Sequence, residues 1–327
     1  MGKFEKSAAA IIISIFIFFS SGGVRDGQSE EKYPTRAIEV IVPFGAGGAT
    51  DLTTRVMAAY VSKKWGLPVN VINKPGGNTI PACLEVYGAK PDGYTLLGDS
   101  LPSSSMVGVV VKSLPFKVVD RTFIASASCH PLVFMVPLES PIKSMKDLEV
   151  EAKKDPEHFT WISMGGAGQQ DLGMRQFFKA IGVDVLKTKP VMAQSGAKGA
   201  ALIAGGHVLM GSSATGSAIP VINAGHVKPL AITGKERFPD LPNVPTTAEV
   251  GYPTVNAIQW NGPSGPPNLP SYIADIWNKV LQEMVKDPAV INQLRNVGAL
   301  PFYLNAREVR EYVAKEVEEI DKLWSLK

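Results

Sequence analysis

"IVPFGAGGATDLTTRV", Ile41 to Val56, decides how this chain is read. An apolar run ends in Phe44, glycines follow at 45, 47 and 48, and Leu52, Val56 and Tyr60 then recur at helical spacing. The stretch is a strand, a glycine turn and a helix. A run as continuously apolar as "AIEVIVPF" suits a parallel strand buried on both faces. A glycine turn opening a helix exposes backbone N–H groups beside the positive end of the helix dipole, which is an anion site.

The turn excludes nucleotides. A dinucleotide fingerprint needs a third glycine at position 50, where this chain has Thr50, and a phosphate loop needs a Gly-Lys-Ser/Thr ending that the segment lacks. With no Lys or Arg in the loop, a small carboxylate suits it better than a polyphosphate. A second copy of the unit, "FTWISMGGAGQQDLGMRQFFKAIG", spans Phe159 to Gly182. Two strand, turn and helix units about a hundred residues apart predict two α/β lobes, each aiming a helix N-terminus at a shared cleft.

Around these units, "PVNVIN", "YTLLG", "FIASAS", "LVFMVP", "VLMG" and "VKPLAIT" read as strands. "TIPACLEVYGAK", "GAKGAALIAGG", "AIPVINAG" and three patterns after Pro270 read as helices. Ser144 with Asp147 three residues on is a capping-box pattern.

Composition narrows the function. The chain has 327 residues, 33 basic and 30 acidic, for a net charge of +3. That balance, without a basic stripe, argues against nucleic acid. Lys3 and Lys6 precede the apolar run Ala8 to Phe19 and the small residues Ser20 to Gly23, which reads as a secretory signal over residues 1–28. Twelve apolar residues are too few to span a bilayer, which needs about 20. Removing the signal takes away Lys3, Lys6 and Arg25 against Glu5 and Asp26 and leaves +2. Cys83 and Cys129 stand in no metal spacing and read as two buried small hydrophobes or, in an exported protein, as one disulfide. The four histidines show no ligand spacing, so neither a metal nor a cofactor is implied.

"YPTRAIEVIVPFGAGGATDLTTRV", "VINKPGG", "KPDGYTLLGDS" and "LPNVPTTAEVGYP" resemble the solute receptors of tripartite tricarboxylate transporters, the Bug family. The likeness runs from Tyr33 nearly to the C-terminus. It implies a periplasmic binding protein of two lobes, type II-like, each a mostly parallel sheet flanked by helices. Lobe 1 would take residues 33–130 plus 256–327 and lobe 2 residues 131–255, with two strands joining them. The protein would be monomeric, would bind a small organic acid, and would deliver it to membrane permease subunits. Carried over residue by residue, the resemblance puts Phe44, Ala46, Gly47, Gly48, Thr50, Asp51 and Ser100 at the ligand in lobe 1. In lobe 2 it puts Gly166, Ala167, Gly168, Gln169, Ser195, Gly196 and Ser213 there. The chain departs from the family's pattern at "KPGGNTIPA", where a longer glycine run is usual, at Gln169 and Gln170, where a histidine is frequent, and at "KPVMAQSG".

The residues leave alternatives for several of these positions. Asp51 reads equally as a first-turn acid complementing the helix dipole. Ser195 and Ser213 also fit plain turns, and Trp260 reads as packing at the hinge. Catalysis finds no support: "GSSATG" breaks the nucleophile elbow at Thr215, and Ser140 to Lys143 lacks the companion motifs of a Ser-x-x-Lys enzyme. A receptor that presents its ligand to a membrane sensor has the same sequence features as one that feeds a transporter.

Overall fold

A computed structural model describes residues 32–325. The signal segment expected over 1–28 lies outside the described residues. From Pro34 onward the chain forms one compact unit. Its opening is β1 (Ile38–Val42), α1 (Ala49–Trp65), β2 (Val69–Asn73), α2 (Ile80–Tyr87) and β3 (Thr95–Ser100). β1 is buried except at Glu39, and it pairs in parallel with β2 on one side and β3 on the other. Gly66 closes α1 in the left-handed conformation, which only glycine adopts without strain.

After α3 (Val107–Val110) and β4 (Thr122–Phe123) comes β5 (Ala125–Pro137), buried at every position but the last. "FIASAS" and "LVFMVP", which read as two strands, are this one strand. Pro131 between them suggests a break, yet it sits where β5 changes partners. Pro131 stands opposite Ile258, and Leu132 opposite Ala214. A residue with no N–H is tolerated where the ladder is handed over.

The chain continues through α4 (Met145–Lys154), β6 (Thr160–Ser163), α5 (Gln169–Ile181), β7 (Lys189–Met192), α6 (Gly196–Ala204), β8 (Gly211–Ala214), α7 (Thr215–Asn223) and β9 (Val227–Ile232). It ends with β10 (Ile258–Gly265), α8 (Ser271–Met284), α9 (Pro288–Asn296), β11 (Leu300–Asn305) and α10 (Ala306–Trp324). Ser144 caps α4 by accepting the Asp147 N–H, while the Asp147 carboxylate accepts the Lys143 N–H.

The main sheet has nine strands, with the path β11-β5-β10-β3-β1-β2; β8 and β9 pair β5 beyond the partner change, and β4 pairs β10. The expectation of mostly parallel sheets needs correction. Among the named strands of the described residues, β2-β1-β3 and β6-β7 pair in parallel, and every pair made by β5 or β10 is antiparallel. Antiparallel neighbours arise because β5 and β10 run through the sheet in opposite directions. The fold is a mixed α/β sheet flanked by helices.

β10 and β11 were not legible as strands. "IQWNGPSG" is polar and broken by glycine and proline, yet seven of its eight residues are buried. Gly262 is there because a Cβ would lie 2.0 Å from the Ala125 carbonyl oxygen. Trp260 packs at 1% exposure and donates to Glu316, which accords with a core role.

Candidate ligand-binding site

The two glycine turns come together. Phe44, Ala46, Gly47, Gly48 and Thr50 from the first, and Ala167, Gly168 and Gln169 from the second, line one cavity of about 400 Å³. Ser195 and Gly196 join them, as do Asn78, Thr79, Pro102, Gln194, Ala214, Ser217 and Gln259. None of the residues that line it carries an ionisable side chain.

Four helix N-termini converge on the cavity. α1 starts after Gly48 and α7 after Ala214, and neither has a side-chain cap. α5 starts after Gly168, and α6 after Ser195, whose hydroxyl accepts the Lys198 N–H at 3.2 Å. The first N–H groups of a helix have no partner within it, so each end offers donors and partial positive charge.

The glycine turns are held from behind by matching acids. Asp51 is the third residue of α1, and its carboxylate accepts the Gly47 N–H at 2.8 Å. Gly47 has φ +78°, so the turn needs glycine at that point. Asp51 also accepts from Arg55 and from the Asn73 amide at 2.8 Å. Burial pushes the Asp51 carboxyl up, but Arg55, the Gly47 N–H and Asn73 outweigh it and hold the group below its usual range. Asp171 is the third residue of α5 and does the same work. It accepts the Gly168 and Met164 N–H groups, each at 3.0 Å, and the Ser163 hydroxyl. Burial dominates there and raises its pKa against those bonds. Neither carboxylate lines the cavity. Asp51 stands in the first turn of α1 and binds the loop before it.

Ser100, Gly166 and Ser213 also stand off the cavity wall. Ser100 is fully buried, and its N–H donates to Asp99. Asp99 accepts the hydroxyls of Ser103, Ser104 and Ser264 and pairs with Arg121 at 3.3 Å, fixing the wide turn whose Pro102 lines the cavity. Gly166, at φ +85°, shapes the second turn. The Ser213 hydroxyl donates to the Gly196 carbonyl at 3.4 Å. Sequence reasoning missed Gln259, whose Nε2 donates to Thr50 at 3.1 Å. It also missed Gln194 and Ser217, which adjoin the Ser195 and Ser213 turns, and Asn78 and Thr79, at a place already noted as departing from the family.

Gln169 has a second attachment. Its Nε2 donates to the carbonyls of His130 at 2.8 Å and Ala257 at 3.1 Å. Both are carbonyls of the long strands or their approach, β5 and the residue before β10. His130 beneath them is buried, and burial lowers its pKa to about 4 despite the Gly298 and Ala49 carbonyls, so the ring is neutral at pH 7. Its Nδ1 faces the Gly298 carbonyl at 2.9 Å, which also accepts the Thr215 hydroxyl at the start of α7. Cys83 and Cys129 are free and buried.

A mixed α/β sheet flanked by helices, with helix ends turned on one uncharged cavity, is shared with solved periplasmic binding proteins. The chain belongs to the tripartite tricarboxylate transporter family receptors, TctC, which it matches over residues 53–325. These are substrate-binding receptors of the periplasm. Among curated relatives, it is 27% identical to protein BugT of Bordetella pertussis over 94% of both chains. A solved periplasmic transporter is 27% identical with a TM-score of 0.81, over 90% of this chain and 98% of that one. R. palustris Rpa4515, solved with adipate, has a TM-score of 0.80 at 24% identity, over 89% of this chain and 97% of that one. Among the described residues no helix is long and apolar enough to cross a membrane.

Proposed function

We propose that this chain captures a small organic carboxylate in the cavity between lobe 1 (33–130 plus 256–327) and lobe 2 (131–255), closes on it, and delivers it to the membrane permease of a tripartite tricarboxylate-type transporter. The observation that carries this reading is a cavity with four helix N-termini and no ionisable side chain on its wall. Backbone and neutral side-chain donors hold the carboxylate: the Gly47–Thr50 turn on one side, and the Gly168–Gln169 and Ser195–Gly196 turns on the other. The match to a family of substrate-binding receptors supports a ligand that is carried and not converted. The adipate held by Rpa4515 supports an acid of this size. The expected leader over 1–28 and the match to a periplasmic receptor family support a mature protein that acts in the periplasm, as a monomer.

One helix N-terminus contributes about 0.3–1 kcal/mol to an exposed anion and up to about 2 when partly buried, too little alone for tight binding. Hydrogen bonds to a charged acceptor add about 1.5–3 kcal/mol each. Several such donors, divided between the two sides of the cavity, reach micromolar affinity, about −8 kcal/mol. A thermal-shift screen of carboxylates tests this, since a ligand at a hundred times its Kd adds about 2.7 kcal/mol. The expected result is a clear rise in Tm with one class of acid and a smaller radius of gyration by X-ray scattering on saturation. A screen with no rise for any acid, or saturation with an unchanged scattering profile, defeats the clamp.

A further inference from the structure

The turn between β2 and α2 is irregular in a way the other cavity loops are not. Four consecutive residues, Gly76 to Thr79, have φ of +112°, +54°, +50° and +69°. Glycine takes such angles freely and Asn tolerates them, but a β-branched residue there is a genuine outlier. Glycine at 78 and 79 would relieve the turn, yet the chain places Asn and Thr there. Backbone strain of this kind persists only where the surroundings over-determine it, and it clusters at ligand clamps.

Both residues line the cavity. The Asn78 amide is exposed and has no hydrogen-bond partner among the described residues. Thr79 is 7% exposed; its hydroxyl oxygen faces the Cys83 thiol at 3.9 Å, while its own proton has no acceptor among the described residues. Gly77 is closed to substitution, since a Cβ would lie 2.9 Å from Pro81 Cδ. The two positions after it are on the cavity wall.

We propose that Asn78 and Thr79 are specificity-determining residues whose amide and hydroxyl read a hydroxyl or carbonyl oxygen on the carbon skeleton of the bound acid. This rests on the carboxylate reading above. An oxygen substituent meets the unspent amide and hydroxyl protons, and a hydroxyl can also donate to the Asn78 oxygen. A bare methylene at that place leaves desolvated donors unpaired when the cavity closes, and such a wall rejects it.

The test is a titration of wild type and of Asn78→Gly/Thr79→Gly with three matched pairs: succinate and malate, glutarate and 2-oxoglutarate, benzoate and 4-hydroxybenzoate. Wild type is expected to prefer the oxygenated member of the pair it binds by about tenfold or more. In the double variant that ratio falls to about twofold or less, while the Tm of the unliganded protein holds or rises by a few degrees as strain is relieved against added chain entropy. Asn78→Asp, which keeps the shape and the tolerance for positive φ, is the second variant. It places a negative charge against the ligand and is expected to weaken every acid that wild type binds by about tenfold or more. A ratio that survives the double variant, an unchanged affinity in Asn78→Asp, or an unliganded Tm that drops together with affinity overturns the proposal. A wild type that binds none of the six acids instead overturns the carboxylate reading itself, and that failure shows in the wild-type arm alone.

Discussion

Gln169→Ala separates a ligand contact from a structural pin. The Gln169 amide is 1% exposed and donates to two buried carbonyls, those of His130 and Ala257. Truncation to Ala removes the donor to the His130 carbonyl, at about 1–3 kcal/mol for a buried group left unpaired, while the Ala257 carbonyl keeps the Thr233 hydroxyl. The sum is about 2–5 kcal/mol once packing loss is included. At about 2–4 °C per kcal/mol for a chain of this order, the unliganded Tm should fall by about 5–15 °C. Gln169→Glu refines the test because it keeps the shape. Facing two carbonyl oxygens in a buried place, the new carboxyl has its folded pKa raised above the unfolded value of about 4.3. A group with a raised folded pKa stabilises below its unfolded pKa and loses that contribution as pH rises through the folded one. The gap in Tm between wild type and Gln169→Glu should therefore be small near pH 4.5 and widen toward pH 8. Thermal melts by circular dichroism across that range measure both effects. A Gln169→Ala protein with wild-type Tm and lost affinity would show that the amide serves the ligand and not the long strands, and the pinning argument would fall.

Three further outcomes follow from the geometry. Gly47→Ala forces a side chain onto φ +78° and should cost about 1–2 kcal/mol and weaken binding, whereas Gly48→Ala, at φ −78° with 3.3 Å to the Gly45 oxygen, should fold with nearly wild-type stability; equal melts for the two would refute the role of the turn. Burial raises the Glu316 carboxyl to about 8 despite its bonds from Ser105 and Trp260, so its contribution is complete below about pH 4.3 and is lost as pH rises through 8; the Tm of Glu316→Gln relative to wild type should climb between pH 6 and pH 9, and a flat difference would contradict the shift. With no Lys or Arg on the cavity wall, affinity for a bound carboxylate should change by about twofold or less between 0.05 and 0.5 M salt by calorimetry, whereas a steep decline would place a cation at the ligand.

How much of this was legible in the sequence depends on which physical signal each part carries. Apolar runs and helical spacing are local, so β1, α1, β6, α5 and the C-terminal helices could be read directly. The glycine turns were legible because glycine before a helix has a short-range meaning. β10 was hidden because its residues answer to neighbours far away in the chain. Gly262 is small for the sake of Ala125, and Ser264 is polar for the sake of Asp99. β5 was split in two because Pro131 reads locally as a break, and only the pairing register shows that the strand changes partners there.

The same division runs through the site. Asp51 and Asp171 sit three residues past their glycine turns, and that spacing alone admits a ligand contact or a loop clasp. In the structure both acids accept backbone N–H groups of their turns, those of Gly47, Gly168 and Met164. Each acid takes up N–H donors of its own turn, and this fixes the path of the turn. On the proposed reading, a cation at the wall would hold an anion more tightly, but from one side alone. Neutral donors divided between the Gly47–Thr50 and Gly168–Gln169 turns would then grip only when both reach the ligand together. Gln169 lines the cavity and is pinned to the carbonyls of His130 in β5 and Ala257 just before β10, so it ties the second of those turns to these strands. Binding that depends on two weak contacts meeting is also binding that releases when they part, which suits the proposed delivery of the ligand.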